Sequence, residues 1–233
     1  LAGDPDVWKH RDTPHLANGE RPEHYFDSER LQGGPWPRFR TEAQQRIAAL
    51  GLDVGDVGML PWTIVELTER LALTFAELRR WPDDEAARAQ ALVTAGRLAH
   101  YAADLVQPLH TTIHHNGWAL PDDSSPLEGI HYRIDALVET VGFDREGALG
   151  GIEPPVFEDV SAAVRREFAA SHALVDRVYE LDARLAGPDG RSDPEVVAFT
   201  CERYRAGVRF LASLLRTAWE ESAKIGLQPW VTR

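Results

Sequence analysis

The sequence predicts an all-α fold, a single domain over residues 1–233 with about six helices behind an irregular N-terminal segment. Three observations carry that reading. Apolar residues recur at three- and four-residue spacing through most of the chain. No stretch alternates apolar and polar residues as a half-buried strand does. Pro61, Pro108 and Pro194 fall at the edges of periodic stretches, where proline starts or stops a helix.

Residues 1–37 are rich in Pro, Gly, Asp and His without a sustained period, and read as irregular structure. Phe39, Ala43, Ile47 and Leu50 set a helix that Gly51 ends. Pro61 opens a second, with Ile64, Leu67, Leu71, Phe75 and Leu78 on one face. A third follows Pro82-Asp83-Asp84 and runs to about Gln107, where Pro108 forbids continuation and leaves His110 just past the helix end. Residues 111–124 read as a loop. Ser125-Pro126-Leu127-Glu128 has the form of a capping box, predicting a helix closed by Gly142 with His131 in its second turn. After a Gly/Pro-rich link at 147–155, one long helix is expected from about Phe157 to Leu185. Asp193-Pro194-Glu195 opens the last, ending near Gly226.

Composition narrows the function classes. With 43% hydrophobic and 27% charged residues the chain can bury one sizeable core, which excludes a disordered protein. No apolar run approaches the roughly 20 residues that span a bilayer, so no stable membrane insertion is expected. The net charge of −12 disfavours binding to duplex DNA. Cys201, the single cysteine, excludes an intramolecular disulfide framework.

Chemistry concentrates in His100-Tyr101-Ala102-Ala103-Asp104-Leu105-Val106-Gln107-Pro108-Leu109-His110, followed 21 residues later by His131-Tyr132-Arg133-Ile134-Asp135. Four residues is slightly more than one helical turn, so each histidine of the two His-x-x-x-Asp units shares a face with its aspartate. One such pair is ordinarily a hydrogen bond on a helix surface. Two pairs flanking a third histidine are how a helical protein aims ligands at a metal. Imidazole with carboxylate suits zinc, and without further cysteines to close a structural site the chemistry points to catalysis.

These residues resemble the zinc-dependent phospholipase C and single-strand-specific nuclease superfamily (P-one and S-one type nucleases), all-α enzymes with a three-zinc cluster that hydrolyse phosphodiesters. The resemblance rests on His100-x3-Asp104-x2-Gln107-Pro108-x-His110, on His131-x3-Asp135, on His24-Tyr25-Phe26-Asp27, and on Pro5-Asp6-Val7-Trp8-Lys9. It implies one zinc held by Asp6, His24, His100 and Asp104, and a second held by His110, His131 and Asp135. The family's third zinc shares the aspartate matching Asp104 and otherwise uses an N-terminal tryptophan and a histidine that this chain lacks, so two or three ions are expected. Asp4 competes with Asp6, since both belong to the turn Gly3-Asp4-Pro5-Asp6. The resemblance also makes Asp6 the residue that orients or deprotonates the attacking water. Lys9, close to Asp6 in sequence, and His114, His115 and Trp118, on the loop between the two ligand segments, are expected near the substrate, with His10, His15 and His172 outside the site.

Within the superfamily the chain leans to the nuclease branch. Aspartate stands at 135 where phospholipases C have glutamate, the gap from His110 to His131 is long, and Trp62–Leu71 resembles a nuclease helix. His114-His115-Asn116-Gly117 replaces the nuclease loop's Gly-Gly-Asn. The expected substrate is single-stranded nucleic acid, with a nucleotide 3'-phosphate as a smaller form of it, ahead of phosphatidylcholine-type lipid. A non-catalytic helical metal-binding scaffold is the reading of a different class. The resemblance implies a secreted or periplasmic protein, although the sequence shows no signal peptide.

Overall fold

The helices expected from periodicity are present, and several are cut differently. The computed structural model describes residues 1–229, with twelve α-helices and, among the described residues, no strand beyond an isolated bridge between His115 and Gly117. Six helices have ten residues or more: α3 (Arg40–Ala49), α5 (Leu60–Arg80), α6 (Glu85–Val106), α10 (Val160–His172), α11 (Val175–Leu185) and α12 (Pro194–Ser222). No described helix is long and apolar enough to cross a membrane.

Three expectations are corrected. The N-terminal segment is not irregular: it holds α1 (Asp4–Trp8), α2 (Pro14–Glu20) and 3-10 turns at Arg21–His24 and Ser28–Leu31. Helices of five and seven residues are too short to show a period, and proline in their first turns was their only signal. The capping box at Ser125–Glu128 is not used. Leu127 adopts φ 58°, outside helical space, and the helix there begins only after Gly129, as α7 (Ile130–Asp135), followed by α8 (Leu137–Thr140). The long helix over 157–185 is broken at Ala173 and Leu174 into α10 and α11.

Packing explains where the site lies. Along α6, Leu98, Tyr101, Ala102 and Leu105 form the buried stripe, each full burial of a leucine contributing about 1.5–3 kcal/mol. His100 and Asp104, one turn apart, stand on the neighbouring edge of the same helix. A first core cluster joins α5, α6, α10 and α12 through residues such as Ile64, Leu98, Phe168 and Leu214. A second joins Leu109, Ile130, Leu137, Val178, Leu181 and Phe199. The helix α12 enters both, with Phe210 and Leu214 in the first and Val196 and Phe199 in the second.

The strap carrying His24 is threaded by backbone bonds. Met59 N–H donates to the Pro22 carbonyl at 2.6 Å, Leu60 N–H to Tyr25 at 3.2 Å, and Phe26 N–H to the His110 carbonyl at 2.9 Å. Gly58 permits this approach: its φ is +85°, and a Cβ there would sit 2.0 Å from the Tyr25 carbonyl oxygen. Arg40 pins the same turn by a two-pronged bond to Glu23 and a third to Glu66.

Candidate metal centre

Two groups of potential ligands converge near the C-terminal end of α6. In the first, ligand atoms of Asp6, His24 and His100 all lie within 4.8 Å of one another. In the second the same holds for His110, His131 and Asp135. Asp104 stands between them. Its Oδ2 lies 3.0 Å from His24 Nδ1 and 3.5 Å from His100 Nε2, while its Oδ1 lies 3.9 Å from His110 Nε2.

Each group is assembled by a different route. His100 and Asp104 follow from helical spacing, but Asp6 comes from α1 and reaches to 3.8 Å from His100 Nε2. Asp6 therefore joins the group, whereas Asp4 turns to the Leu1 ammonium at 3.8 Å. In the second group Pro108 ends α6 and starts a 3-10 turn, Pro108–Thr111, which presents His110. His131 and Asp135 are the i and i+4 residues of the six-residue α7, with Nε2 to Oδ2 at 3.2 Å.

The histidine rings are oriented from behind. His110 Nδ1 donates to the His24 carbonyl at 2.6 Å, and His131 Nδ1 to the His115 carbonyl at 3.2 Å. A carbonyl only accepts, so Nδ1 keeps its proton in both rings and Nε2 is the atom free for a cation. His24 is turned the other way. Its Nδ1 faces His100 and Asp104, and its buried Nε2 approaches Glu20 Oε1 at 3.4 Å, an ion-pair contact rather than a formed hydrogen bond.

The electrostatics are those of a cation site. Burial would raise the Asp104 carboxyl, yet the imidazoles of His110, His24 and His100 hold it below its ordinary value. Burial would lower His110, but the Asp104 and Asp135 carboxylates hold it up to about 9. His24 is likewise raised against its burial by Asp104 and Glu20. Asp135 is held far below the usual carboxylate range by His110 and His131, again against burial. The buried Asp104 and the half-exposed Asp135 thus both face positive charge, from imidazolium or from metal.

Asp6, Asp104, His110, His131 and Asp135 line one wall of a cleft of about 750 Å³ between α6, α7, α8 and α12. Of the residues expected near the substrate, only Lys9 borders it, ion-paired with Asp6. His114 accepts from Ala119 N–H at 3.0 Å, and His115 lies with its ring centroid 6.2 Å from that of His131, its pKa lowered by burial and by the neighbouring His131 and His110. Trp118, 47% exposed, stacks on Tyr179 at 4.3 Å. None of the three lines the cleft, and His115 alone meets a ring of the centre. His10 and His15 are exposed, and His172 packs on Phe168 while donating to the Thr111 carbonyl.

Sequence reasoning assigned no role to three contributors, although it quoted Gln107 within the motif. Gln107 donates to Asp135 Oδ1 at 2.6 Å, which holds the second group's carboxylate. Glu20 stands behind His24, with only its i, i+4 spacing as a signal. Arg203 borders the cleft from α12 within the stripe Phe199, Arg203, Gly207 and Leu211, whose four-residue spacing was visible but carried no chemistry by itself. Comparison with known protein families, with curated proteins and with solved structures gave no match.

Proposed function

We propose that the chain is a zinc-dependent phosphodiesterase acting on single-stranded nucleic acid. The observation that carries this reading is Asp104, a cleft-lining residue whose two oxygens face two separate His/Asp groups. The donor set fits zinc: imidazole nitrogens and carboxylate oxygens, with the opposite ring nitrogens of His110 and His131 tied to carbonyls. Zinc bound there supplies hydroxide near neutral pH and neutralises charge on phosphoryl oxygens. The residues divide the remaining work. Asp6, half-exposed at the cleft, orients the attacking water, and Lys9 beside it offers a cation to the phosphate. A flexible single strand can bring one phosphate into a concave site that a stiff duplex cannot enter, and the net charge of −12 opposes duplex binding further.

Phosphatidylcholine-type lipid is the second reading. It is favoured by the cleft's aliphatic side chains, among them Val106, Leu137, Val138 and Leu211. The test is a parallel panel of single-stranded DNA, single-stranded RNA, a nucleoside 3'-monophosphate and phosphatidylcholine, before and after chelation and zinc readdition. Strand cleavage that chelator abolishes and zinc restores is expected. Phosphocholine release without strand cleavage reverses the ranking. Bound zinc without turnover of any substrate makes the chain a metal-binding scaffold.

A further inference from the structure

Three of the four histidines in the centre have a group aimed at the nitrogen that faces away from the ligand cluster, but only His24 has a carboxylate there. Glu20 closes α2, and the 3-10 turn that follows without a break, Arg21–His24, sets Glu20 and His24 four residues apart. Its Oε1 lies 3.4 Å from His24 Nε2 and also accepts the hydroxyl of Tyr101, the residue next to His100 on α6. Tyr101 is 3% exposed and its ring meets both imidazoles edge-on, at 5.2 Å from His24 and 5.4 Å from His100. His24 Nε2 itself has no formed hydrogen bond and no access to water. A buried imidazole N–H without an acceptor is costly, and Glu20 is the carboxylate placed to take it.

We propose that Glu20, fixed by Tyr101, is a positioning residue that orients His24 and so strengthens the first metal site selectively over the second. This rests on the metal reading above. Carboxylates behind a ligating histidine fix its tautomer and raise its basicity, and their loss typically weakens metal binding by about 10- to 100-fold. The second group has only neutral carbonyls in that role, so no equivalent effect arises there.

The experiment is a titration of the metal-stripped chain with zinc and with cobalt(II), following the two binding events and the cobalt spectrum, for the wild type, Glu20→Ala, Glu20→Gln and Tyr101→Phe. The expected result is two events in the wild type. Glu20→Ala should weaken one of them by about 10- to 100-fold and alter its cobalt spectrum while the other stays unchanged, and Glu20→Gln, which keeps an acceptor oxygen, should recover much of the loss. If Glu20→Ala does not fold, Glu20→Gln and Tyr101→Phe carry the same comparison with smaller selective losses. Equal weakening of both events marks a merely structural role and overturns the proposal, as does unchanged binding at both. A wild type that binds no metal overturns the metal reading and this proposal together.

Discussion

The two ligand groups are made in opposite ways. The first is collected from far apart, with its two histidines deep: His24 and His100 are 4% and 13% exposed in their side chains, Asp6 is 59% exposed, and the three come from three elements. The second is shallow and local, with His131 and Asp135 27% and 42% exposed on one short helix. A site collected from distant segments forms only when the whole fold does, whereas i, i+4 ligands need one turn of helix and a histidine placed by Pro108. The first group is therefore the one whose geometry the tertiary structure guards, although Asp6 opens it to the same cleft that Asp135 borders.

Asp104→Asn gives the largest expected effect, because this residue belongs to both groups. Neutralising it removes the negative charge that either cation shares. Metal content should fall at both sites and turnover by on the order of a thousandfold, about 4 kcal/mol of transition-state stabilisation. Retention of both equivalents and near-normal turnover would show that the groups do not meet at Asp104.

Single-site variants separate the groups more finely. His100→Ala should lose one equivalent and nearly all activity while keeping a helical circular dichroism spectrum, and His131→Ala should lose the other equivalent and leave the first. Loss of both ions from either variant would merge what the geometry divides.

Proton release measures the competition between imidazolium and metal. His110 is held up to about 9, so at neutral pH the metal-free chain carries a proton there that a cation must displace. Affinity at the second site should rise about tenfold per pH unit from neutrality to about 9, then level off. Calorimetry in buffers of different ionisation enthalpy checks this; binding at pH 7 with no proton released would contradict it.

What could be read in advance follows the same division. His100-Asp104 and His131-Asp135 were legible because helical spacing alone pairs them. The second pair survived even though its helix begins at Ile130 and not at the apparent capping box, since six residues suffice for one i, i+4 contact. The seven expected ligands do converge, yet the nearness of Asp6 and His24 to α6 came from a resemblance and not from periodicity. Gln107 was legible only as part of a motif, and the roles of Glu20 and Arg203 stayed silent because Tyr101 and the cleft that give them meaning lie far along the chain. The break at Ala173 and Leu174 left no mark either, for neither residue is a helix breaker.

The smallest expected effect concerns a carboxylate that supplies no ligand atom. Asp27 follows His24 on the strap and is 6% exposed. Burial and the charge of Glu29 raise its carboxyl from 3.8 to about 7, against the opposing pull of Arg30 and His110. A folded value above the unfolded one means that the native chain holds this proton more tightly. The associated stability is present below pH 4 and is lost as pH rises through about 7. Asp27→Asn cannot ionise, so in metal-free protein it should melt close to the wild type at pH 4 and above it at pH 8, by on the order of 2–4 kcal/mol. The test is the pair of melting curves. An offset equal at both pH values would mean that Asp27 is ionised throughout, and that the strap between the two groups tolerates a buried charge with Arg30, 3.9 Å away, as its partner.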